Sequence, residues 1–197
     1  MTPSISKERL ASFSDGIFAV IITIMVLQLK LPSGPTFSAM WQEWPTALSY
    51  VVSYFLIVIM WINHHYLWGY TEKVTARITL WNFLHMFCAS LVPFATAWVA
   101  ATRIASVPVF VYAAVTVMVN LSYHAFAREV IYRSSDGGGH RIRRRDALMR
   151  SKLTLALFIV AMLLSLKLPR IAFAMVTLVL LTYACPEVPR DSNRAPW

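Results

Sequence analysis

The residues best suited to chemistry lie at the start of the first apolar run, in the segment Arg9–Gly16. Ser14 and Asp15 could cap a helix that begins there, since short polar side chains accept hydrogen bonds from the first helical amides. The apolar run after Asp15 reaches only Leu31, however, so a membrane-spanning helix should begin nearer Lys7. Asp15 would then lie partly within the membrane, where an ionised side chain is costly and must find partners.

A second group of polar residues lies at the end of the next apolar run and in the one after it. His64 and His65 are adjacent, and Asn82 and His85 are one helical turn apart. Adjacent histidines point about 100° apart on a helix and chelate one ion poorly, so we expect no resident metal. We expect one of the pair to face the bundle interior and donate to Asp15. A buried structural histidine and a proton relay both remain open readings.

The composition requires a membrane. Of 197 residues, 58% are hydrophobic and 14% are charged, whereas soluble domains have about 45–50% apolar and roughly 25% charged residues. The alternation of apolar and polar residues that a β-barrel needs is absent. The chain is therefore predicted to be an all-α polytopic membrane protein with one domain over residues 1–186 and a short tail over 187–197.

Six apolar runs are long enough to be considered as spans, although the last two are short. Pro93 should kink the third run, and Ser134–Gly139 should form a linker within a basic loop at residues 134–146. The predicted spans are Phe13–Leu31, Pro45–Tyr70, Ile78–Thr102, Pro108–Tyr132, Leu148–Leu168 and Arg170–Cys185.

The net charge of +9 comes from Lys and Arg in the segments between these runs, mostly in Arg128–Lys152. With the N-terminus on the cytoplasmic side, 14 of the 18 Lys and Arg residues fall on that side and 4 on the other. This asymmetry predicts a multi-pass protein of the cell membrane with both termini cytoplasmic. The basic cluster should contact anionic lipid headgroups, and a nucleic-acid partner is not expected. The usual enzyme motifs are absent, so neither an enzyme nor a cofactor is predicted.

Helical periodicity gives the first run two distinct faces. Val20, Ile24, Leu27 and Leu31 fall within about 40° of one line, and Asp15 points about 140° away from it. Thr23 lies on the shoulder of this apolar stripe. By itself, such a stripe more often packs against lipid or a core than lines a pore.

The string Arg9-x-x-x-Phe13-Ser14-Asp15, followed directly by the apolar helix, resembles the start of the endosomal and lysosomal potassium channel family. The similarity is to bacterial members with one six-helix unit. Trp61, His64 and His65 on the second helix, and Asn82 with Pro93-Phe94 on the third, also fit that family. The second half of the chain resembles it only in helix count.

The resemblance implies a homotetramer whose pore is lined by the first helix of each subunit and conducts potassium with modest selectivity over sodium. By this resemblance, the ion pathway is Val20, Thr23, Ile24 and Leu27, an apolar constriction that would gate by dewetting. Val20 is a departure, because the family more often has Ile or Leu there. The residues that would brace the pore helix against the second and third helices are Arg9, Phe13, Ser14, Asp15, Trp61, His64, His65 and Asn82.

The main alternative is a proton-coupled secondary transporter that uses the intramembrane acid Asp15 and the histidines His64, His65 and His85. Transporters usually show broken helices or paired repeats in both halves of the chain. In this sequence the interior polar groups are concentrated in the first three runs.

Overall fold

In a computed structural model of the chain, the described residues are 6–71, 73–133 and 141–183, with only the backbone given for 132–133, 141–151 and 182–183. This part of the chain is helical and contains no strand, which confirms the all-α prediction. The helices are α1 Lys7–Leu27, α2 Phe37–Gln42, α3 Trp44–Gly69, α4 Ala76–Ser90, α5 Val92–Ala101, α6 Ser106–Arg133, α7 Arg141–Leu164 and α8 Pro169–Tyr183.

Four segments of the described chain are long and apolar enough to cross a membrane: Lys7–Leu27, Trp44–Gly69, Ala76–Ala101 and Ser106–Ile131. Two shorter apolar helices, Lys152–Leu164 and Pro169–Leu181, follow them. The six predicted segments are therefore all present, and the chain is a multi-pass membrane protein. The predicted linker at 134–139, Cys185 and the tail at 187–197 lie outside the described residues.

The first helix begins earlier and ends earlier than its apolar run. Ser6 is its N-cap and accepts from the Arg9 amide at 3.3 Å. The reading of Ser14 or Asp15 as the cap is therefore wrong, and both residues lie inside the helix, as its length required. The helix ends at Leu27, so Leu31 does not continue the apolar stripe on α1.

The third span is broken, as Pro93 predicted. α4 ends at Ser90 and α5 begins at Val92, with Pro93 in the first turn of α5. The Leu91 amide donates to the Cys88 carbonyl at 3.2 Å, a tighter turn than an α-helix makes. A proline ring has no amide hydrogen, so the regular hydrogen-bond ladder cannot pass this point.

Two local features were not predicted. The short helix α2 precedes α3, and its N-cap Thr36 accepts from the Ala39 amide. The basic cluster that begins at Arg141 was expected within a loop, yet its backbone is the first part of α7. Runs of arginine are good helix formers, and the apolar part of the same helix continues directly from them.

The core lies where α3, α5, α6 and α8 meet. Ile57, Val92, Val109 and Val176 are fully buried there or nearly so. A chain of hydroxyl groups crosses the same region. Thr96 donates to Ser53 at 2.7 Å, and Ser53 is 3.0 Å from the Tyr112 hydroxyl. These side chains satisfy one another where lipid and core offer no water. α1 packs against the edge formed by α3, α4 and α5.

Candidate functional site

Ser14 connects α1 to the third span through a buried amide. Asn82 Nδ2 donates to Ser14 Oγ at 3.0 Å, while Ser14 Oγ donates to the Leu10 carbonyl at 3.0 Å. On its other side, Asn82 Oδ1 is 2.7 Å from His64 Nε2 on α3. Ser14, Asn82 and His64 each have no exposed surface. One amide therefore holds three helices together, and the predicted contact of α1 with the second and third spans is present for these residues.

The proton on His64 follows from this geometry. Because Asn82 Oδ1 can only accept, the short contact requires the hydrogen on His64 Nε2. The Trp68 indole N–H also points at this Nε2, at 3.3 Å, but a nitrogen that carries a hydrogen cannot accept it, so the shorter contact with Asn82 decides where the proton lies. This tautomer leaves His64 Nδ1 as a buried acceptor without a partner in the described residues.

His85 lies parallel to His64, with ring centroids 6.0 Å apart and an interplanar angle of 15°. Its Nδ1 is 3.1 Å from Ser122 Oγ, which itself donates to the Val119 carbonyl. His85 Nε2 is also without a partner in the described chain. His85 therefore lies beside His64 through ring stacking, while its hydrogen bond goes to Ser122 on α6.

Asp15 belongs to a second, more exposed contact. Its Oδ1 accepts from the Trp61 indole nitrogen at 2.9 Å. His65 stacks on Trp61, with centroids 5.5 Å apart. The expectation that a histidine donates to Asp15 is wrong, because the indole lies one turn closer to Asp15 along α3.

The two remaining members of the predicted brace are less firmly placed. Phe13 makes an edge contact with Phe83 at 5.6 Å, although half of its surface stays exposed. The Arg9 side chain is exposed and has no partner among the described residues. Within one subunit, the structure therefore joins six of the eight predicted brace residues in two contacts, while Phe13 packs on Phe83 instead and Arg9 stands apart from both contacts.

The apolar stripe lies away from the subunit. Val20, Ile24 and Leu27 are 55%, 43% and 84% exposed, so the described part of the subunit leaves much of their surface uncovered. Thr23 is also exposed, and its hydroxyl donates to the Val20 carbonyl at 2.8 Å. The opposite face is buried, which leaves the predicted ion pathway on a free surface whose orientation is set by the buried polar contacts.

Sequence reasoning missed Trp68, Phe18 and Ser122. Trp68 follows His64 by four residues and Phe18 follows Ser14 by four, so the spacing that places side chains on one helix face could have found both. Phe18 contacts both histidine rings, at 5.4 and 6.5 Å. Ser122 carried no such signal, because its partner His85 is on another helix.

Comparison with known proteins places these residues in a family of ion channels. The family model "Endosomal/lysosomal potassium channel TMEM175" matches residues 9–93, a range that contains every residue of the predicted ion pathway and brace. A protein of Chryseobacterium sp. (strain P1-3), named as a potassium channel, is 33% identical over 92% of this chain and 94% of its own length. The chain belongs to the TMEM175 family.

Other family members extend the comparison to structure and to vertebrates. The crystal structure of a lysosomal potassium-selective channel TMEM175 homolog from Chamaesiphon minutus matches with a TM-score of 0.78 and 25% identity, covering 90% of this chain and 96% of that one. A Rattus norvegicus protein named "Endosomal/lysosomal proton channel TMEM175" is 29% identical over 46% of this chain, which covers 21% of the rat protein. The family is thus named for two different permeant cations.

Proposed function

We propose that this TMEM175 family member is a potassium-permeable channel in the cell membrane, formed by four copies of the chain around an axis lined by α1. The observation that carries the proposal is the division of α1 into two faces. Ser14 on its buried face is hydrogen-bonded to the third span, and Val20, Ile24 and Leu27 on its free face are largely exposed in the described subunit. Potassium is the permeant ion named for the bacterial relatives.

The free face supplies an apolar constriction. Rings of Val20, Ile24 and Leu27 around a fourfold axis would resist water when narrow and admit partly hydrated cations when wide. Thr23 adds a ring of hydroxyl groups. Because each hydroxyl donates its hydrogen to the Val20 carbonyl of its own helix, its oxygen lone pairs remain available to a passing cation. Because Val20 is smaller than the Ile or Leu usual there, we expect only modest selectivity for potassium over sodium.

The buried polar contacts orient this face. Rotating α1 would break the Ser14–Asn82 contact and the Asp15–Trp61 contact together, because both hold the same turn of the helix. A buried polar group that loses its partner costs about 1–3 kcal/mol. The stripe therefore keeps one direction relative to α3 and α4, as a shared pore requires.

The positive charges support an orientation with both termini on the cytoplasmic side. In that orientation α1 enters from the cytoplasm at Lys7. The polar anchor, formed by Ser14, Asn82 and His64, then lies in the inner part of the membrane, on the cytoplasmic side of the apolar stripe. Lys and Arg residues are retained on the cytoplasmic side during insertion.

Purified protein in liposomes tests the proposed function. With potassium inside and sodium outside, a channel should release potassium down its gradient. In a planar bilayer with the same two salts on opposite sides, the reversal potential should shift from zero toward the equilibrium potential of potassium. Liposomes without protein, and liposomes with a heat-denatured sample, are the controls. Absence of potassium flux in protein that is folded and oligomeric would contradict the proposal.

Proton permeation is the second candidate, and the unpartnered nitrogens of the stacked pair His64 and His85 favour it. The vertebrate relative is named for protons as well. A pH-sensitive dye inside the same liposomes separates the two. Acidification that persists without potassium identifies proton conduction, whereas a fixed ratio of protons to potassium identifies the coupled transporter.

A further inference from the structure

α1 is the least buried of the long spans in the described chain. Only 28% of its apolar window is buried, against 44%, 56% and 50% for the other three. A groove of about 670 Å³ runs along its exposed side from Ser12 to Gln28. Val20 and Ile24 line this groove, so it follows the face that the proposed function gives to the ion path. Gln28, at its outer end, has no role in that proposal.

Gln28 is the first residue after α1, and its backbone still has right-handed helical angles (φ −87°, ψ −4°). It follows Ile24 by four residues, which places the two side chains on neighbouring turns of one side of the helix. The Gln28 side chain is exposed and makes no hydrogen bond with the described residues. A polar side chain therefore lies directly beyond the apolar stripe, with an amide oxygen that has both lone pairs free.

The last turn of α1 leaves a backbone oxygen free beside this side chain. The Gln28 amide donates to the Met25 carbonyl at 3.2 Å. The Leu29 amide donates to the Val26 carbonyl at 3.1 Å. Both bonds span three residues instead of four, so the amide that would have reached the Ile24 carbonyl is used elsewhere. Within the described residues, no amide beyond the helix donates to the Ile24 carbonyl.

The helix dipole makes this end of α1 attractive to a cation. Aligned peptide units place roughly half an elementary negative charge at the C-terminus of a helix. The last turn of α1 contains no basic residue that would neutralise it. Lys30, the nearest basic residue that follows, is exposed, so its charge is screened by water and salt. Four such helix ends around one axis would add their fields at the mouth of the pore.

Lipid cannot satisfy these oxygen atoms. A carbonyl without a hydrogen bond is costly in hydrocarbon, and acyl chains offer no donor to a glutamine amide. Water or a cation can satisfy both groups. Carbonyl oxygens also suit potassium, since rings of them replace its hydration shell in other channels.

We propose that the Gln28 side chain and the free Ile24 carbonyl form a cation-binding site at the outer mouth of the pore, which takes a partly hydrated monovalent cation such as potassium. The four amide oxygens would replace part of the water around the ion before it enters the apolar constriction. This inference rests on the proposed function, in which α1 lines the pore. It adds the place where an ion from outside is first bound.

Replacement of Gln28 tests whether its amide binds the ion. Single-channel conductance in a planar bilayer rises with potassium concentration and saturates as a site fills. Gln28→Leu removes an oxygen ligand and should raise the half-saturating potassium concentration by about two- to tenfold. Gln28→Glu adds a negative charge and should lower it. Gln42→Leu and Gln42→Glu are the matched controls, because Gln42 is also exposed and also lies between the first two spans. They should change it far less.

A second experiment reverses the sign of the charge at one position. Q28C is introduced into the full chain with its own cysteines replaced (C88A and C185A). The thiol is modified in detergent with a methanethiosulfonate that carries a positive or a negative charge, and the protein is then reconstituted with potassium in liposomes. The positive group should reduce potassium flux and the negative group should increase it, because opposite charges act oppositely on a bound cation. Q42C, treated in the same way, should show little change with either reagent.

The outcomes separate this inference from the proposed function. If the unmodified chain passes potassium, but the Gln28 and Gln42 variants have the same half-saturating concentration, the site is wrong and the channel stands. Equal loss of flux with both reagents at Q28C would indicate a narrow passage without a cation site. The same dependence on sign at Q42C would indicate a general surface potential, and failure of Q28C to react would show that water does not reach it. Each of these three results also overturns the site. If the unmodified chain passes no potassium, the proposed function has failed and the site fails with it.

Discussion

At the residue scale, Asn82 is the centre of the polar anchor. It donates to Ser14 and accepts from His64, and all three side chains are buried. Its two functional groups point in opposite directions, so no other single side chain of that size satisfies both partners. We infer that its identity, more than its polarity, holds α1 in place.

Replacing Asn82 with alanine should therefore destabilise the subunit strongly. Ser14 and His64 would each lose a buried partner, at a cost of about 1–3 kcal/mol apiece. We expect a clear drop in the midpoint of thermal unfolding, followed by tryptophan fluorescence in detergent. Gln42→Ala, at an exposed position on the short helix α2, is the control and should leave the midpoint unchanged. Equal midpoints for the two variants would contradict the anchor.

Asp15 and Trp61 make a separable contact at the same scale. Asp15→Ala should impair assembly, because α1 loses a hydrogen bond that orients its free face. Asp15→Asn keeps an acceptor for the indole and should assemble nearly as well as the unmodified chain. The fraction of oligomer by native mass spectrometry measures both. Similar losses for the two variants would show that the negative charge matters and the hydrogen bond does not.

The sequence could predict which residues carry polar groups into the membrane, but only part of their pairing. Asn82 and Ser14 were identified because polar side chains in apolar runs are expensive. The partner of Asp15 could not be found in this way, because Trp61 and His65 are both within reach and only the rotation of α3 decides between them. Arg9 was assigned to the brace by family resemblance, and no contact within the described part of the subunit accounts for it.

At the element scale, the break at Leu91 divides the third span. α4 carries Asn82 and is fixed to α1 and α3, while α5 carries Phe94, which is 60% exposed. Proline spacing was enough to predict the kink, since the ring removes an amide hydrogen wherever it stands inside a helix. The early start of α7 was missed because a cluster of arginines gives the same signal in a loop and in a helix.

Replacing Pro93 with alanine should join α4 and α5 into one helix. The new amide can donate to the Ala89 carbonyl, and alanine has the highest helix propensity. We expect slower hydrogen exchange of the amides near residues 91–95, measured by mass spectrometry in detergent micelles. Pro45→Ala is the control, since Pro45 is in the first turn of α3, where an amide hydrogen has no helical partner. Unchanged exchange at both sites would mean that tertiary packing alone imposes the break.

At the scale of the whole molecule, the proposed ion path consists of residues that one subunit leaves largely exposed. Ile24→Ala and Leu27→Ala remove apolar volume from the proposed constriction, so water and cations should enter more readily. We expect larger potassium flux from liposomes and a smaller preference for potassium over sodium. Leu163→Ala, a leucine that is 60% exposed on α7, is the control and should leave flux unchanged. Flux unaffected by both stripe variants would remove Ile24 and Leu27 from the ion path.

The small share of α1 that its own subunit buries also bears on how such a protein matures in a membrane. A membrane helix satisfies its backbone hydrogen bonds internally, so the exposed face of α1 can remain in contact with lipid until another subunit binds. The final complex would then follow mass action, as for any reversible association. Raising the ratio of lipid to protein should dissociate the complexes and abolish potassium flux while each subunit stays folded. The average current per chain in a cell would then depend on how many chains the cell makes.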